Sequence, residues 1–328
     1  MSDMSEALPF TSTDIGRRLQ RQRILDKAFR ALTAVMAVAV LALLGGVILS
    51  IAGGAWPALK TFGFGFLFSE VWNPVTEKFG ALAPIYGTLL TSVIAMLVGV
   101  PLAFGIAVFL TEKCPMALRR PLGTAIELLA GIPSIIYGIW GLFVLAPFLQ
   151  QHVQPILIAT LGKLPGIGFL FAGPPFGIGV LTAGIILGIM VLPFVTAITR
   201  DVFETVPPML RESAYGIGCT TWEVVWNVVL PYTRLGVMGG VMLGLGRALG
   251  ETMAVTFVIG NAHRIPTSLL APGTTISAAI ANEFTEATSD LHLSALVALG
   301  LVLFLITFIV LAFAKIMLIR MSAQGGKR

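Results

Sequence analysis

Long apolar runs, separated by short polar interruptions, occupy most of this chain. Six of these runs are long enough to cross a hydrocarbon core about 30 Å thick as a helix. The pattern therefore predicts an all-α integral membrane protein with six transmembrane helices. The predicted spans are residues 31–55, 83–110, 122–147, 176–198, 235–260 and 293–318.

Pro133 lies inside the third predicted span and predicts a kink there. A proline leaves a carbonyl of the preceding turn free, and Ser134 or a neighbouring helix must help to satisfy it. The kink would serve either as a gate of the pathway or only as a fixed bend in the helix. Glu127, near the cytoplasmic end of this span, fits either a lining of the inner mouth or a carboxylate that extends to the interface. Pro133, Ser134 and Glu127 are therefore the candidate gating residues.

Composition agrees with the apolar pattern and narrows the class of protein. Hydrophobic residues make up 56% of the 328 residues, charged residues make up only 11%, and the mean hydropathy is +0.93. These values are far from those of a soluble domain. Six spans and their connections use almost the whole length, so no large soluble domain fits.

Positive charges mark one side of the membrane. Lys and Arg are dense before the first span, between spans two and three, between spans four and five, and after the sixth. Because positive loops stay in the cytoplasm, both termini are predicted to be cytoplasmic, and the net charge of +5 is a topology signal and not a nucleic-acid surface. The predicted organisation is a basic cytoplasmic segment 1–30, an anchoring span 31–55, a membrane core 83–318 with a polar cytoplasmic loop 201–234, and a cytoplasmic tail 319–328.

No residue pattern predicts an enzyme, a cofactor or a metal site. Cys114 and Cys219 fall in predicted cytoplasmic loops, where thiols stay reduced. His152, His263 and His292 are scattered through external loops, as surface histidines are. The sequence holds no phosphate-binding loop of the form G-x-x-x-x-G-K-[ST]. Any ATP hydrolysis is therefore expected to come from another chain.

The loop 201–234 predicts two short helices. Prolines favour the start of the first and glycines its end, while a threonine caps the second and a proline ends it. Such a loop is either an amphipathic linker or a rigid surface that receives a cytoplasmic partner. The residues in these positions are Pro207 and Pro208, Gly216 and Gly218, Thr220 or Thr221, and Pro231.

Within this loop, "ESAYGIGCTTWEVVWNVVLP" resembles the EAA loop of ABC importer permeases of type I, which have the MetI-like architecture. Ser213 stands where the family usually has Ala, and Val228 where it usually has Ile. The resemblance implies that residues 208–220 contain the coupling helix that fits a groove of a partner ATPase. The matching residues are Glu212, Ser213, Ala214, Gly218, Val228, Leu230 and Pro231.

Three other stretches resemble the phosphate-specific transport permeases: "APIYGTLLTSVIA", "ELLAGIPSIIYGIWGLFVLAP" and "GRALGETMAVTFVIGNA". The last is more similar to the C subunit of that family than to its companion A subunit. The resemblance implies a phosphate importer subunit in the bacterial inner (plasma) membrane. It also implies three partners: a PstA-like second permease, a PstB-like dimer of ATP-binding subunits and a PstS-like periplasmic or extracellular phosphate-binding protein. A sulfate or molybdate importer, or a membrane scaffold or sensor subunit, remain alternatives.

Arg247 and Glu251 place two charges in the fifth predicted span. Their spacing of four predicts one helix face, and Arg247 lies about 20 Å along the helix from Arg234. An Arg at the centre of a span costs about 2.5 to 3.5 kcal/mol, so the pair is expected to face the bundle interior or a wet cavity. The candidate residues of the substrate pathway are Arg247, Glu251 and Thr252. Arg247 is the candidate phosphate contact, and Glu251 would either neutralise it when the pathway is empty or accept a hydrogen bond from a protonated phosphate. Alternatively, the pair locks the span to a neighbour.

Overall fold

The computed structural model describes residues 12–325 of the chain. The ends of the predicted N-terminal segment and tail, residues 1–11 and 326–328, lie outside the described residues. Within the described range the structure is helical, and its one β feature is a bridge between Asn73 and Lys78. Six helical stretches are long and apolar enough to cross a membrane, which confirms the predicted all-α architecture of six spans. They are Gln22–Phe62, Leu82–Lys113, Ser134–Lys163, Val180–Glu204, Thr221–Leu249 and Asp290–Arg320, here called spans 1 to 6.

Several of these spans are assembled from more than one helical segment. The α-helices in chain order are α1 Ser12–Phe62, α2 Gly65–Phe68, α3 Leu82–Val108, α4 Met116–Ala130, α5 Ser134–Trp140, α6 Ala146–Phe148, α7 Gln154–Thr160, α8 Val180–Glu204, α9 Pro208–Gly216, α10 Thr221–Val224, α11 Leu230–Leu249, α12 Met253–Thr256, α13 Ile276–Glu283 and α14 Asp290–Gly325. Wider π-helical turns are Phe109–Lys113, Gly141–Leu145, Leu149–Val153 and Val225–Val229, and 3₁₀ turns are Leu161–Lys163 and Gly168–Phe171.

The chain divides into two compact units, residues 1–53 and 54–328. The described part of the first unit is a single helix, the N-terminal portion of α1. From residue 31 it is apolar on every side, as is typical of a helix surrounded by lipid. The second unit contains the end of α1 and all the elements that follow.

Close packing of α3 against α8 forms the centre of the second unit. A Cβ built on Gly99 would lie only 2.9 Å from the Gly188 carbonyl oxygen, so the two helices meet backbone to backbone. Helices in lipid pack through small residues in this way because dispersion contacts replace the hydrophobic effect between them. α11 lies along the same helix α8, with Gly244 against Val191 and Val195.

Two of the predicted span boundaries are wrong. The third span was expected at residues 122–147, but the helix is interrupted between α4 and α5, and the continuous apolar stretch begins at Ser134. The fifth was expected at 235–260, but it begins at Thr221 and ends at Leu249. Pro231 does not end a separate short helix. It lies in the first turn of α11, which follows the π turn Val225–Val229 without a break.

The first of the two short helices predicted in the loop 201–234 is present as α9. It begins at Pro208 after the extended residue Pro207, and the backbone reverses at Gly218 with a φ of +91°. Thr220 then caps α10 through a reciprocal pair of hydrogen bonds with Glu223. The second predicted helix is therefore the start of span 5.

Candidate functional site

Arg247 lies in the last turn of α11, exposed on the surface of its own chain. Its depth follows from the packing of Gly244 against Val191 and Val195, which are close to the middle of α8. Arg247 is three residues further along, a rise of about 4.5 Å. A full positive charge therefore lies near the midpoint of span 4 and is exposed on the described part of the chain.

Glu251 and Thr252 lie beyond the end of that helix. α11 stops at Leu249, and Gly250 follows it. Glycine is a poor helix former, and the short polar residues after it favour local hydrogen bonds. The Glu251 carboxylate accepts a hydrogen bond from the Ala254 amide (3.4 Å). Thr252 is the N-cap residue of α12. The predicted pathway residues therefore bracket a break in the helix.

The expectation that Arg247 and Glu251 share a helix face is wrong for this reason. Four residues correspond to one turn only while the helix continues, and here it ends between them. Arg247 is exposed and Glu251 is half-buried. The ion pairs of the described side chains do not include this pair.

A second helix break lies beside the first. α4 ends at Ala130 and α5 begins at Ser134, with Pro133 extended between them. Gly138, one turn into α5, packs so closely on α12 that a Cβ there would be 3.1 Å from the Ala254 Cα atom. Irregular backbone at membrane depth is tolerated where protein or water satisfies it. Two breaks therefore meet in the same region of the bundle.

Tyr137 joins these breaks, although the sequence pattern did not single it out. Its hydroxyl donates to the Leu129 carbonyl across the α4–α5 break, at 2.9 Å. Its neighbour Gly138 packs on Ala254 of α12, beyond the break that follows α11. The carbonyl freed by Pro133 thus accepts bonds from the Tyr137 hydroxyl and, at 3.3 Å, from the Ile132 amide, and Ser134, the residue expected in this role, is not its partner. A tyrosine four residues after a proline in an apolar span was the available signal, since its hydroxyl needs a partner.

Glu127 belongs to a different group of charges. Its carboxylate is 2.7 Å from Arg200 near the end of α8, and the same guanidinium binds Asp201. Glu127 lies on the amphipathic helix α4, before the continuous apolar part of span 3. The structure therefore separates Glu127 from Pro133 and Ser134 and gives it an ionic partner of its own.

Helix α9 presents two different faces. Ala214 is buried in a core that also contains Ala107, Phe203 and Val229. The opposite face is open, since Met209 is 76% exposed. Ile217, just after the end of α9, is 84% exposed. Of the other residues expected to couple to an ATPase, Glu212, Ser213, Gly218 and Pro231 are exposed and Leu230 is half-buried.

A cluster at the other end of the bundle from α9 was missed. The carboxylate of Glu283 at the end of α13 lies 2.6 Å from His263 and 3.0 Å from His292, and it accepts a 2.7 Å bond from the Trp72 indole. The description of His263 and His292 as scattered surface histidines is therefore wrong. Burial raises the pKa of Glu283, but the hydrogen bonds from His263, Trp72 and His292 outweigh it and lower this pKa overall. Among the described residues, no group of three or more His, Cys, Asp or Glu is arranged to hold a metal ion.

Comparison with protein families places these features in a class. Residues 99–322 match the family described as the binding-protein-dependent transport system inner membrane component. This range takes in the two helix breaks, Arg247 and α9. The chain is thus a multi-pass inner membrane component of a transport system.

Curated relatives cover almost the whole chain. The phosphate transport system permease protein PstC of Mesorhizobium japonicum is 67% identical over 326 residues, which are 99% of this chain and 100% of that protein. The protein of the same name from Pasteurella multocida is 57% identical over 93% of this chain and 95% of that protein. The chain therefore belongs to the PstC family of phosphate transport system permease proteins.

Solved structures agree on the fold. A chain of a bacterial ABC transporter involved in the import of the acidic polysaccharide alginate superposes with a TM-score of 0.62 at 18% identity, over 92% of this chain and 99% of that chain. The same transporter type in complex with an alginate pentasaccharide-bound periplasmic protein gives 0.60 at 20% identity, over 93% and 98%. The architecture is that of the type I ABC importer permeases.

Proposed function

We propose that this chain is one of two permease subunits of an ATP-driven importer of inorganic phosphate. The observation that carries this proposal is Arg247, a full charge near the middle of the bundle that its own chain leaves exposed. A guanidinium can bind two phosphate oxygens at once, and arrival of the anion offsets the cost of desolvating the cation. The names of the PstC relatives supply the substrate class.

Something outside the chain completes the surroundings of Arg247. A lone Arg at the centre of a span costs about 2.5 to 3.5 kcal/mol on insertion scales, so lipid is a poor neighbour. A water-filled pathway between this chain and a second permease subunit would solvate the guanidinium and remove that cost. Arg247, Glu251 and Thr252 then line the pathway at the break between α11 and α12. Glu251, half-buried nearby, limits the net positive charge so that phosphate is released and not trapped.

The partners follow from the two ends of the bundle. A PstA-like permease forms the other half of the pathway, and a PstB-like ATPase dimer supplies the energy. A PstS-like periplasmic or extracellular protein delivers phosphate at the end that carries α13. Both termini of this chain and α9 are cytoplasmic in this arrangement, since the positive charges of the sequence gather there.

Helix α9 is the surface on which we place the ATPase. Its inner face is fixed to the core through Ala214, and its outer face exposes Met209 and the carboxylate of Glu212. Exposed apolar side chains beside a charge suit a protein partner better than they suit water. Ser213, Gly218, Leu230 and Pro231 complete the motif around it.

Uptake of labelled phosphate by cells that lack their own importer, complemented with the complete transport system, tests this function. We expect uptake that excess sulfate does not inhibit. Arg247→Gln should abolish it, whereas Arg234→Gln, an exposed position early in the same helix, should retain it. The ATPase should copurify equally with both variants.

Each alternative gives a different result. Inhibition by sulfate as strong as by phosphate itself would indicate a related oxyanion importer. A complete system without any uptake would favour a scaffold or sensor subunit. Undiminished uptake by Arg247→Gln would remove that residue from the pathway while leaving the family assignment in place.

A further inference from the structure

A buried ion pair joins α9 to the end of span 2. The Arg211 guanidinium on α9 lies 3.3 Å from the carboxylate of Glu112, which is on the π turn Phe109–Lys113. The Glu112 side chain is only 4% exposed and that of Arg211 19%. A buried charge needs a partner of opposite sign, because removal of that partner leaves an uncompensated charge that water does not reach.

Arg211 also reaches a third element. Its other terminal nitrogen donates to the Phe203 carbonyl in the last turn of α8. One side chain of α9 therefore contacts the ends of both span 2 and span 4. These are the two spans whose backbones are in direct contact at Gly99 and Gly188.

Ala214 gives α9 a second contact with the bundle, which is apolar. Ala214, one turn after Arg211 on the same face, packs in an apolar core. Apolar packing resists separation but has little directional preference, whereas an ion pair with a carbonyl bond fixes position in both axial and lateral directions. Arg211 therefore connects the position of α9 to Glu112 through a charge contact and to Phe203 through a hydrogen bond.

We propose that the Arg211–Glu112 pair is the positioning link that carries displacement of α9 to spans 2 and 4, so that ATP hydrolysis is coupled to opening of the pathway. The inference rests on the proposed function, since it takes α9 as the surface that receives the ATPase. Arg211 and Glu112 do not touch phosphate. They determine how much of the ATPase's motion reaches the residues that do.

The experiment uses the complete transporter in proteoliposomes with the phosphate-loaded binding protein present. Phosphate uptake and ATP hydrolysis are measured in the same sample, and the ATPase recovered with the membrane subunits is quantified. Glu112→Gln and Arg211→Gln should each lower uptake at least tenfold while ATP hydrolysis falls less than threefold. Lys113→Gln, an exposed neutralisation on the same π turn, should leave both rates within twofold of the wild type.

Two further variants separate coupling from mere support of the fold. Arg211→Lys keeps the charge and should recover at least a third of the uptake. The exchange of Glu112→Arg with Arg211→Glu should restore more uptake than either single change permits. A structural role alone would not raise the number of ATP molecules hydrolysed per phosphate.

The outcomes distinguish this inference from the proposed function. A wild-type transporter without phosphate uptake would refute the proposed function. With an active wild type, a normal ratio of ATP to phosphate in Glu112→Gln would overturn the coupling role. So would loss of the ATPase or of the permease from the membrane in both single variants, since the pair would then serve docking or folding and not transmission.

Discussion

The hydroxyl of Tyr137 bridges the break between α4 and α5 by donating to the carbonyl of Leu129, 2.9 Å away. The interruption at Pro133 is therefore held in a defined conformation and is not a loose hinge. Gly138, the next residue, packs on the backbone of α12 just beyond Glu251. The segment that follows the break before span 3 is thus in contact with the segment that follows the end of span 5.

Tyr137→Phe removes this hydrogen bond while keeping the ring. We expect a loss of about 1 kcal/mol, since the Leu129 carbonyl then keeps only the 3.3 Å bond from the Ile132 amide. Phosphate uptake should fall several-fold because the break beside Arg247 loosens. Thermal unfolding of the purified permease complex and uptake assays measure the two effects. Tyr232→Phe, an exposed tyrosine in α11, is the control and should change neither; equal stability of both variants would contradict the role of the hydroxyl.

Gly87→Ala tests the contact between α3 and the segment before α13. A Cβ at Gly87 would lie 1.8 Å from the Thr274 carbonyl oxygen, so this segment must move, and with it the bond from the Ile276 amide to Thr88. Overpacking of this kind costs about 1 to 3 kcal/mol. Gly105→Ala in the same helix meets nothing within 4 Å and should be neutral or slightly stabilising. Unfolding temperatures of the two variants, compared in one detergent, decide the matter.

Glu212→Arg reverses a charge on the exposed face of α9. We expect at least a several-fold loss of ATPase copurification, because a like charge or a lost bond at a protein interface weakens docking. The amount of permease in the membrane should be unchanged, since the side chain is in solvent. Glu204→Arg, an equal charge reversal at the end of α8, serves as the matched control. Normal ATPase recovery with Glu212→Arg would argue against α9 as the docking surface.

The Glu283 cluster predicts a loss of stability in acid. The pKa of Glu283 is lower in the folded chain than its ordinary value of 4.5. Its contribution is therefore fully present above about pH 4.5 and is lost as the pH falls through the lowered folded value. Thermal unfolding between pH 7 and pH 3 should show this loss, and Glu283→Gln should be less stable at pH 7 but less sensitive to acid. Glu286→Gln, an exposed change nearby, should retain the acid sensitivity of the wild type.

The six spans were predictable because an apolar run of about 20 residues is typical of a helix that crosses a lipid bilayer. The ends of the helices were not, as Arg247 and Glu251 illustrate. Their spacing indicates a shared face only if the helix continues. The apolar run continues to about residue 260, so hydropathy alone does not indicate the end after Leu249. Gly250 followed by two polar residues was a local sign of that end.

Clusters built from distant segments were beyond the reach of the sequence. Trp72 and Glu283 are 211 residues apart, and His263 comes from a third segment. Each residue alone is unremarkable on a polar loop, and only the fold brings them together. The Arg211–Glu112 pair was missed for the same reason, although Arg211 lies directly before the recognised motif.

The π turn Val225–Val229 lies between α9 and Arg247 and contains one residue more than an α-helical turn needs. One residue corresponds to about 100° of rotation around a helix axis. This surplus residue therefore sets the angular phase between the surface that α9 offers and the direction in which Arg247 points. Deletion of Asn227 would keep α9 and all residues of α11. It would turn α11, and Arg247 with it, by more than a quarter of a revolution relative to α9.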